Sequence, residues 1–143
     1  MNLTCLAEGV IVRSMEKDRT RSQSQLEFEI LFFERLVEQK PNYVEALIPL
    51  ADAYTKKGFL KKGLELDKRL SLLCPEDESV FYNLACSYAL TGDSKKAFEA
   101  LETAIQLGYS DPDHMLKDSD LDPLKKHPDF SKLIKKICLH GSN

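Results

Sequence analysis

Three histidines, four cysteines and a run of alternating aspartates are the side chains in this 143-residue sequence that could carry chemistry. His114, His127 and His140 all lie towards the C-terminus. His114 stands among Asp111, Asp113 and Asp118, a mixture of ligand types that a metal ion could share. The same residues serve as helix caps and solvated loop charges, and that simpler role is expected. Asp118-x-Asp120-x-Asp122 has the spacing that opens a calcium loop. Pro123 stands where such a loop needs its tight-turn Gly, and Lys126 and Asp129 fill the later ligand positions poorly. No metal and no cofactor is therefore expected.

The cysteines are Cys5, Cys74, Cys86 and Cys138, too widely spaced for a C-x-x-C pair. They are expected as reduced, mostly packed thiols in a reducing cytoplasm. Nucleophilic catalysis by Cys86 would need a His partner that meets it only in space, and a packed or idle thiol is expected instead. Gly58, Gly63, Gly92 and Gly108 stand alone, so there is no phosphate loop. No G-x-S-x-G, H-E-x-x-H or kinase signature is present. The expectation is a protein that is not an enzyme and has no catalytic residues.

With a net charge of −3, no general affinity for nucleic acid is expected, because that needs a basic footprint. Lys125, Lys126, Lys132, Lys135 and Lys136 make the C-terminus basic. Without Arg or interleaved aromatic rings they read as a solvated face. No apolar run approaches the ~20 residues that cross a bilayer, so no membrane partner is expected. The opening Met1–Glu8 lacks the basic region of a secretory signal.

The elements that hold these residues repeat with a period of 34. Sliding the chain by that offset aligns residues 44–77 with 78–111. Identities follow at Leu50/Leu84, Ala51/Ala85, Tyr54/Tyr88, Gly58/Gly92, Lys61/Lys95, Lys62/Lys96, Glu65/Glu99, Leu73/Leu107 and Asp77/Asp111. Each unit reads as two helices. Leu47, Leu50, Ala51 and Tyr54, and then Phe81, Leu84, Ala85 and Tyr88, recur at the spacing of one helix face. Gly58 and Gly92 sit where the chain must reverse, because Gly takes positive φ without penalty. The partner helices run from about Leu60 to Leu73 and from Ser94 to Leu107, with Asp93 or Ser94 as the second one's cap. Their expected apolar stripes are Leu60, Leu64, Leu70 and Leu73, and Ala97, Phe98, Leu101, Ala104 and Ile105. Pro49 inside the first helix should kink it or delay its start.

Leu47-x-x-Leu50-Ala51-x-x-Tyr54 with Gly58, Gly63, Leu70 and Pro75, and Phe81-x-x-Leu84-Ala85-x-x-Tyr88 with Gly92, Ala97, Leu101 and Ala104, resemble the tetratricopeptide repeat (TPR). The resemblance implies an all-α fold, a right-handed superhelical stack of antiparallel helix pairs. Ala51, Gly63, Ala85 and Ala97 would stand where helix axes cross closely. Residues 1–22 would form a flexible or loosely attached segment and residues 23–139 the repeat domain, followed by a tail at 140–143. Within the domain, 23–40 would be a half-repeat helix, 44–77 and 78–111 full repeats, and 112–139 a helical cap. In the cap, Leu116, Leu121, Leu124, Phe130, Leu133, Ile134 and Ile137 would cover the open end, with Asp111-Pro112 and His127-Pro128 starting its helices.

The family uses the concave wall made by its first helices to bind segments of other proteins. The wall positions are Glu45, Ile48, Asp52 and Lys56 in one unit, and Ser79, Tyr82, Asn83, Cys86 and Leu90 in the next. The resemblance implies a scaffold or adaptor that binds a peptide segment of a partner protein. The alternative is self-association through the same surfaces. Ile48, Tyr82 and Leu90 are apolar at positions that the internal core should not need. Tyr82 is therefore expected as the centre of the contact and Asn83 as a binder of peptide backbone. Glu45 and Asp52 would make one end of the wall acidic. The Lys-rich clamp of some TPRs is not matched, because Ile48 and Asp52 replace its basic and amide residues.

Overall fold

The computed structural model describes residues 23–141, so the expectation for residues 1–22 and the end of the tail lie outside it. The chain forms α1 (Gln23–Gln39), α2 (Val44–Lys57), α3 (Leu60–Leu73), α4 (Glu78–Leu90), α5 (Ser94–Gln106), α6 (Pro112–Lys117), a 3-10 helix (Ser119–Leu124) and α7 (Pro128–His140). There is no strand among the described residues. From α1 to α5 each helix packs on the helix before it. The 3-10 helix packs on α4, and α7 lies against α5 and α6. Two apolar clusters result, one within α1–α3 that takes in Val80 of α4, the other spanning α4 to α7.

Local chemistry sets the helix ends. Asp77 Oδ1 accepts from the Ser79 and Val80 N–H groups at 2.9 and 3.3 Å. Asp93 takes the Lys96 N–H at 3.1 Å, and Asp111 the His114 N–H at 2.9 Å. His127 Nδ1 accepts from the Asp129 N–H at 3.1 Å, so the His127-Pro128 start forms as expected. Gly58 and Gly92 take φ of 90° and 89°, the left-handed geometry that lets the chain turn back. Helix starts at Val44, Glu78 and Pro112 are 34 residues apart, as are those at Leu60, Ser94 and Pro128. The spacing thus runs on through the segment expected only as a cap.

Pro49 does not delay α2, which begins five residues earlier at Val44. One lost backbone bond is outweighed by burial on both sides of it, since Leu47, Leu50, Ala51 and Tyr54 are all in the core. The small residues expected at crossings lie in the interior: Ala51, Ala85 and Ala97 are fully buried. A Cβ on Gly63 would stand 2.7 Å from Thr55 Oγ1 and 3.4 Å from the Ala51 carbonyl. The stripe of α3 differs from the expectation. Leu66 and Asp67 are buried with Leu70, whereas Leu60, Leu64 and Leu73 are only half-buried. In the C-terminal segment Leu121, Leu124, Phe130, Leu133 and Ile137 are buried, and Ile134 packs at their edge. Met115 is buried in place of Leu116, because the short α6 turns one of the two neighbours inward and the other to solvent.

Two measurements check this packing. Ala85→Leu adds volume where no side chain has room to move and is expected to cost about 1–3 kcal/mol. An unchanged melting temperature would contradict the crossing at Ala85. Asp77 supplies a test with pH. Burial raises its carboxyl above the ordinary range against the lowering effect of its two N–H donors, and its Oδ2 has no hydrogen-bond partner. The folded chain thus favours the protonated form. That contribution is present below the ordinary carboxylate pKa of about 4 and is lost as pH rises through the raised value. Asp77→Asn keeps an acceptor for the cap and removes the charge. It is expected to melt no lower than the wild type at neutral pH, with the wild type gaining on it as acid is added. Asp77→Ala, which loses the cap, should cost about 1 kcal/mol.

Candidate functional site

The nine residues expected on a binding wall belong to α2 and α4, and the fold closes over most of them. Glu45, in the first turn of α2, is exposed. Ile48 is buried in the cluster of α1–α3. Asp52 is buried and pairs with Lys56 Nζ at 2.8 Å, one turn along α2. Ser79 and Asn83 are buried, and Leu90 is half-buried. Tyr82 is only 2% exposed and Cys86 is buried beside it. Ile48 and Tyr82 are therefore core residues, contrary to the expectation that the interior has no use for them. Leu90 is partly covered, and Glu45 alone of the nine is openly exposed.

The cover over α4 is the chain's own C-terminal segment. Tyr109 lays its ring on Tyr82, with centroids 4.6 Å apart and planes 14° off parallel. His114 stands 5.3 Å from the same ring. The Tyr82 hydroxyl donates to Asp118 Oδ2 at 2.9 Å, and the Cys86 thiol points at that oxygen from 3.8 Å. Asp118 Oδ1 accepts the Asp120 N–H at 3.0 Å and so starts the 3-10 helix. A carboxylate this deeply buried is tolerable because donors reach both of its oxygens. Burial above all, then the neighbouring Cys86 and Asp118, pushes the Tyr82 hydroxyl far up, so it stays a proton donor. Burial raises Tyr109 as well.

Cys86, Asp118 and Asp120 bring a thiol and two carboxylates within 4.8 Å of one another. Hydrogen bonds to Tyr82, Cys86 and the Asp120 amide already engage Asp118, which makes the group a fastening between α4 and the segment that covers it. Two of the aspartates at calcium-loop spacing are engaged locally. Asp118 caps the 3-10 helix, and Asp122 faces Lys125 Nζ at 2.7 Å.

Similar fastenings join other helices, and the periodicity does not reveal them. The Tyr54 hydroxyl donates to Glu34 Oε1 at 2.5 Å, tying α2 to α1, and burial raises its pKa. The Ser87 hydroxyl donates to Asp67, tying α4 to α3. One signal was available for Asp67: the positions 34 residues before and after it are Phe33 and Leu101, so a carboxylate there must find a partner. Among the described residues no helix is long and apolar enough to cross a membrane.

No family model matches the chain. Over 87 residues, 59% of its length, the chain is 35% identical to a chloroplastic protein of Arabidopsis thaliana. The match covers 26% of that protein, so the chain spans only a fraction of the relative's length.

The placement of Tyr82 changes what its replacement should do. Tyr82→Ala empties the space under Tyr109 and strands Asp118, and it is expected to cost about 3–5 kcal/mol of stability. Tyr82→Phe keeps the ring but removes the donor, for about 1–3 kcal/mol. Thermal melts in which both variants match the wild type would show that the C-terminal segment does not lie on α4.

Proposed function

We propose that the chain is a TPR-like stack, a right-handed superhelix of antiparallel helix pairs, and that it works as a non-enzymatic protein-interaction module. The observation that supports this best is the even spacing of helix starts through three successive pairs, with small residues buried in the two full units. A row of such pairs exposes one long wall of first helices, which suits a segment of another protein. Tyr82 and Cys86 are under the chain's own C-terminal segment and leave the binding set. A partner then meets Glu45 and the edge of Leu90, with the Asp52–Lys56 pair, Ile48, Ser79 and Asn83 behind them. Lys56 offsets the charge of Asp52, so Glu45 is the charge left to select a ligand, and it favours a segment that carries Lys or Arg.

The titratable groups of the buried cluster point the same way. Tyr82, Cys86 and Asp118 satisfy one another instead of facing a cleft where a substrate could reach them. No disulfide joins Cys74, Cys86 and Cys138, which suits a reducing compartment, and we place the protein in the cytoplasm. The chloroplast is a property of the plant relative alone.

Selection of peptides from a displayed random library on the full chain, followed by calorimetry of the selected sequences, tests the proposal. Basic segments are expected to emerge. Glu45→Lys should weaken them about tenfold, or ~1.4 kcal/mol, and leave the melting temperature unchanged because the side chain is exposed. Peptides that bind Glu45→Lys as tightly as the wild type would place the site elsewhere.

A further inference from the structure

Helix α1 carries two apolar stripes, and the fold uses one. Leu26 and Ile30, with Phe33 and Val37 at their edges, pack into the cluster of α1–α3. Phe28, Leu31 and Phe32 point elsewhere and are 68%, 59% and 49% exposed. The rings of Phe28 and Phe32 stack at 6.3 Å. With Arg35 they line a shallow depression on the outside of the helix. Isolated exposed apolar side chains are ordinary, but three large ones together are the mark of a contact surface.

The repeat supplies an internal comparison. Phe28, Leu31, Phe32 and Arg35 correspond, 34 residues on, to Lys62, Glu65, Leu66 and Arg69 of α3. A further 34 on they correspond to Lys96, Glu99, Ala100 and Thr103 of α5. On those helices the positions are charged, polar or small except Leu66, which the core buries. The apolar stripe is therefore peculiar to α1 and is not a requirement of the repeat. Nor does the sequence in front of α1 match it. Arg13, Glu16, Lys17 and Thr20 stand where α2 has Leu47, Leu50, Ala51 and Tyr54.

We infer that this stripe is a docking surface for an amphipathic helix with basic flanks, supplied by another protein. The spacing of Phe28, Leu31 and Phe32 makes a ridge that the ridges of a second helix can straddle, as the helices within this chain do. The charge around it selects the flanks. Glu27, Glu29, Glu34 and Glu38 share α1 with a single cation, Arg35. Lys57 pairs with Glu27 at 2.8 Å and offsets only part of that charge. Two copies of so acidic a helix repel each other, which disfavours a second copy of the chain as the occupant. This surface lies on a different helix from Glu45, so the two sites stand or fall separately.

Two synthetic 18-residue helices with one apolar stripe of Leu are the probes, one with Lys and one with Glu at every other position. Fluorescence anisotropy with the full chain is expected to show binding of the Lys peptide with Kd in the tens of micromolar, weakening as salt is added. The Glu peptide should bind at least tenfold more weakly. Phe28→Ser/Phe32→Ser should abolish binding of the Lys peptide, while circular dichroism and melting stay as in the wild type because both rings are exposed. Binding of the Lys peptide that Glu45→Lys removes and Phe28→Ser/Phe32→Ser spares would put the peptide on α2 and overturn the proposal. Equal binding of the two peptides, or undiminished binding by the double variant, overturns the proposal. So does a stable dimer in sedimentation that Phe28→Ser/Phe32→Ser dissociates, because the occupant is then a second copy. Absence of binding by the Lys peptide overturns it too, and points to a segment of this chain over the stripe.

Discussion

A helix held between two neighbours must be apolar on two sides, and a helix at the end of a row has one side left over. That constraint governs this protein. The inner helices α2 to α5 resolve it by packing on each other, with Ala51, Gly63, Ala85 and Ala97 buried between them. The two ends resolve it differently. At the C-terminal end the chain folds a short helix, a 3-10 turn and α7 over α4 and α5. Helix α1, the first of the described helices, keeps Phe28, Leu31 and Phe32 in contact with solvent.

Apolar contact alone would let such a row slide, since one Leu face resembles another. Buried polar pairs remove that freedom. Tyr54 with Glu34, Ser87 with Asp67, and Tyr82 with Asp118 each join two elements through a bond with a defined direction and length. Each also places a hydroxyl or carboxylate where its loss of solvation is costly unless the pairing is made. The same pairs explain why residues of catalytic type in this sequence act as fastenings. Asp118 lies inside, its oxygens bound by groups from α4 and from its own turn.

The C-terminal segment shows how a repeat can change use. Its helices begin on the 34-residue spacing, at Pro112 and Pro128, yet the first is broken after Lys117 and resumes as a 3-10 turn. Phe130, Leu133 and Ile137 are buried where α5 buries Ala97, Ala100 and Ala104, one residue out of step with that spacing. Large side chains replace small ones there, and they fill the space against α5 and α6. In doing so the segment covers Tyr82 and Cys86 of α4.

The sequence by itself determined the helices, their order and most of their ends. Those depend on near neighbours: apolar residues at helical spacing, Asp or His before a first turn, Gly at a reversal. It also marked the small residues that the fold buries, because a small side chain recurring at one register of both units signals a place with little room. It did not determine which faces stay open. Tyr82 and Ile48 have the spacing of exposed wall residues, and only contacts far along the chain bury them. The Tyr82 bond spans 36 residues to reach Asp118. Leu116 and Met115 could not be told apart either, because a six-residue helix has too few turns for a period to register. The choice between wall and core belongs to the tertiary structure, since burial depends on what arrives from a distance, and periodicity records only what a helix offers.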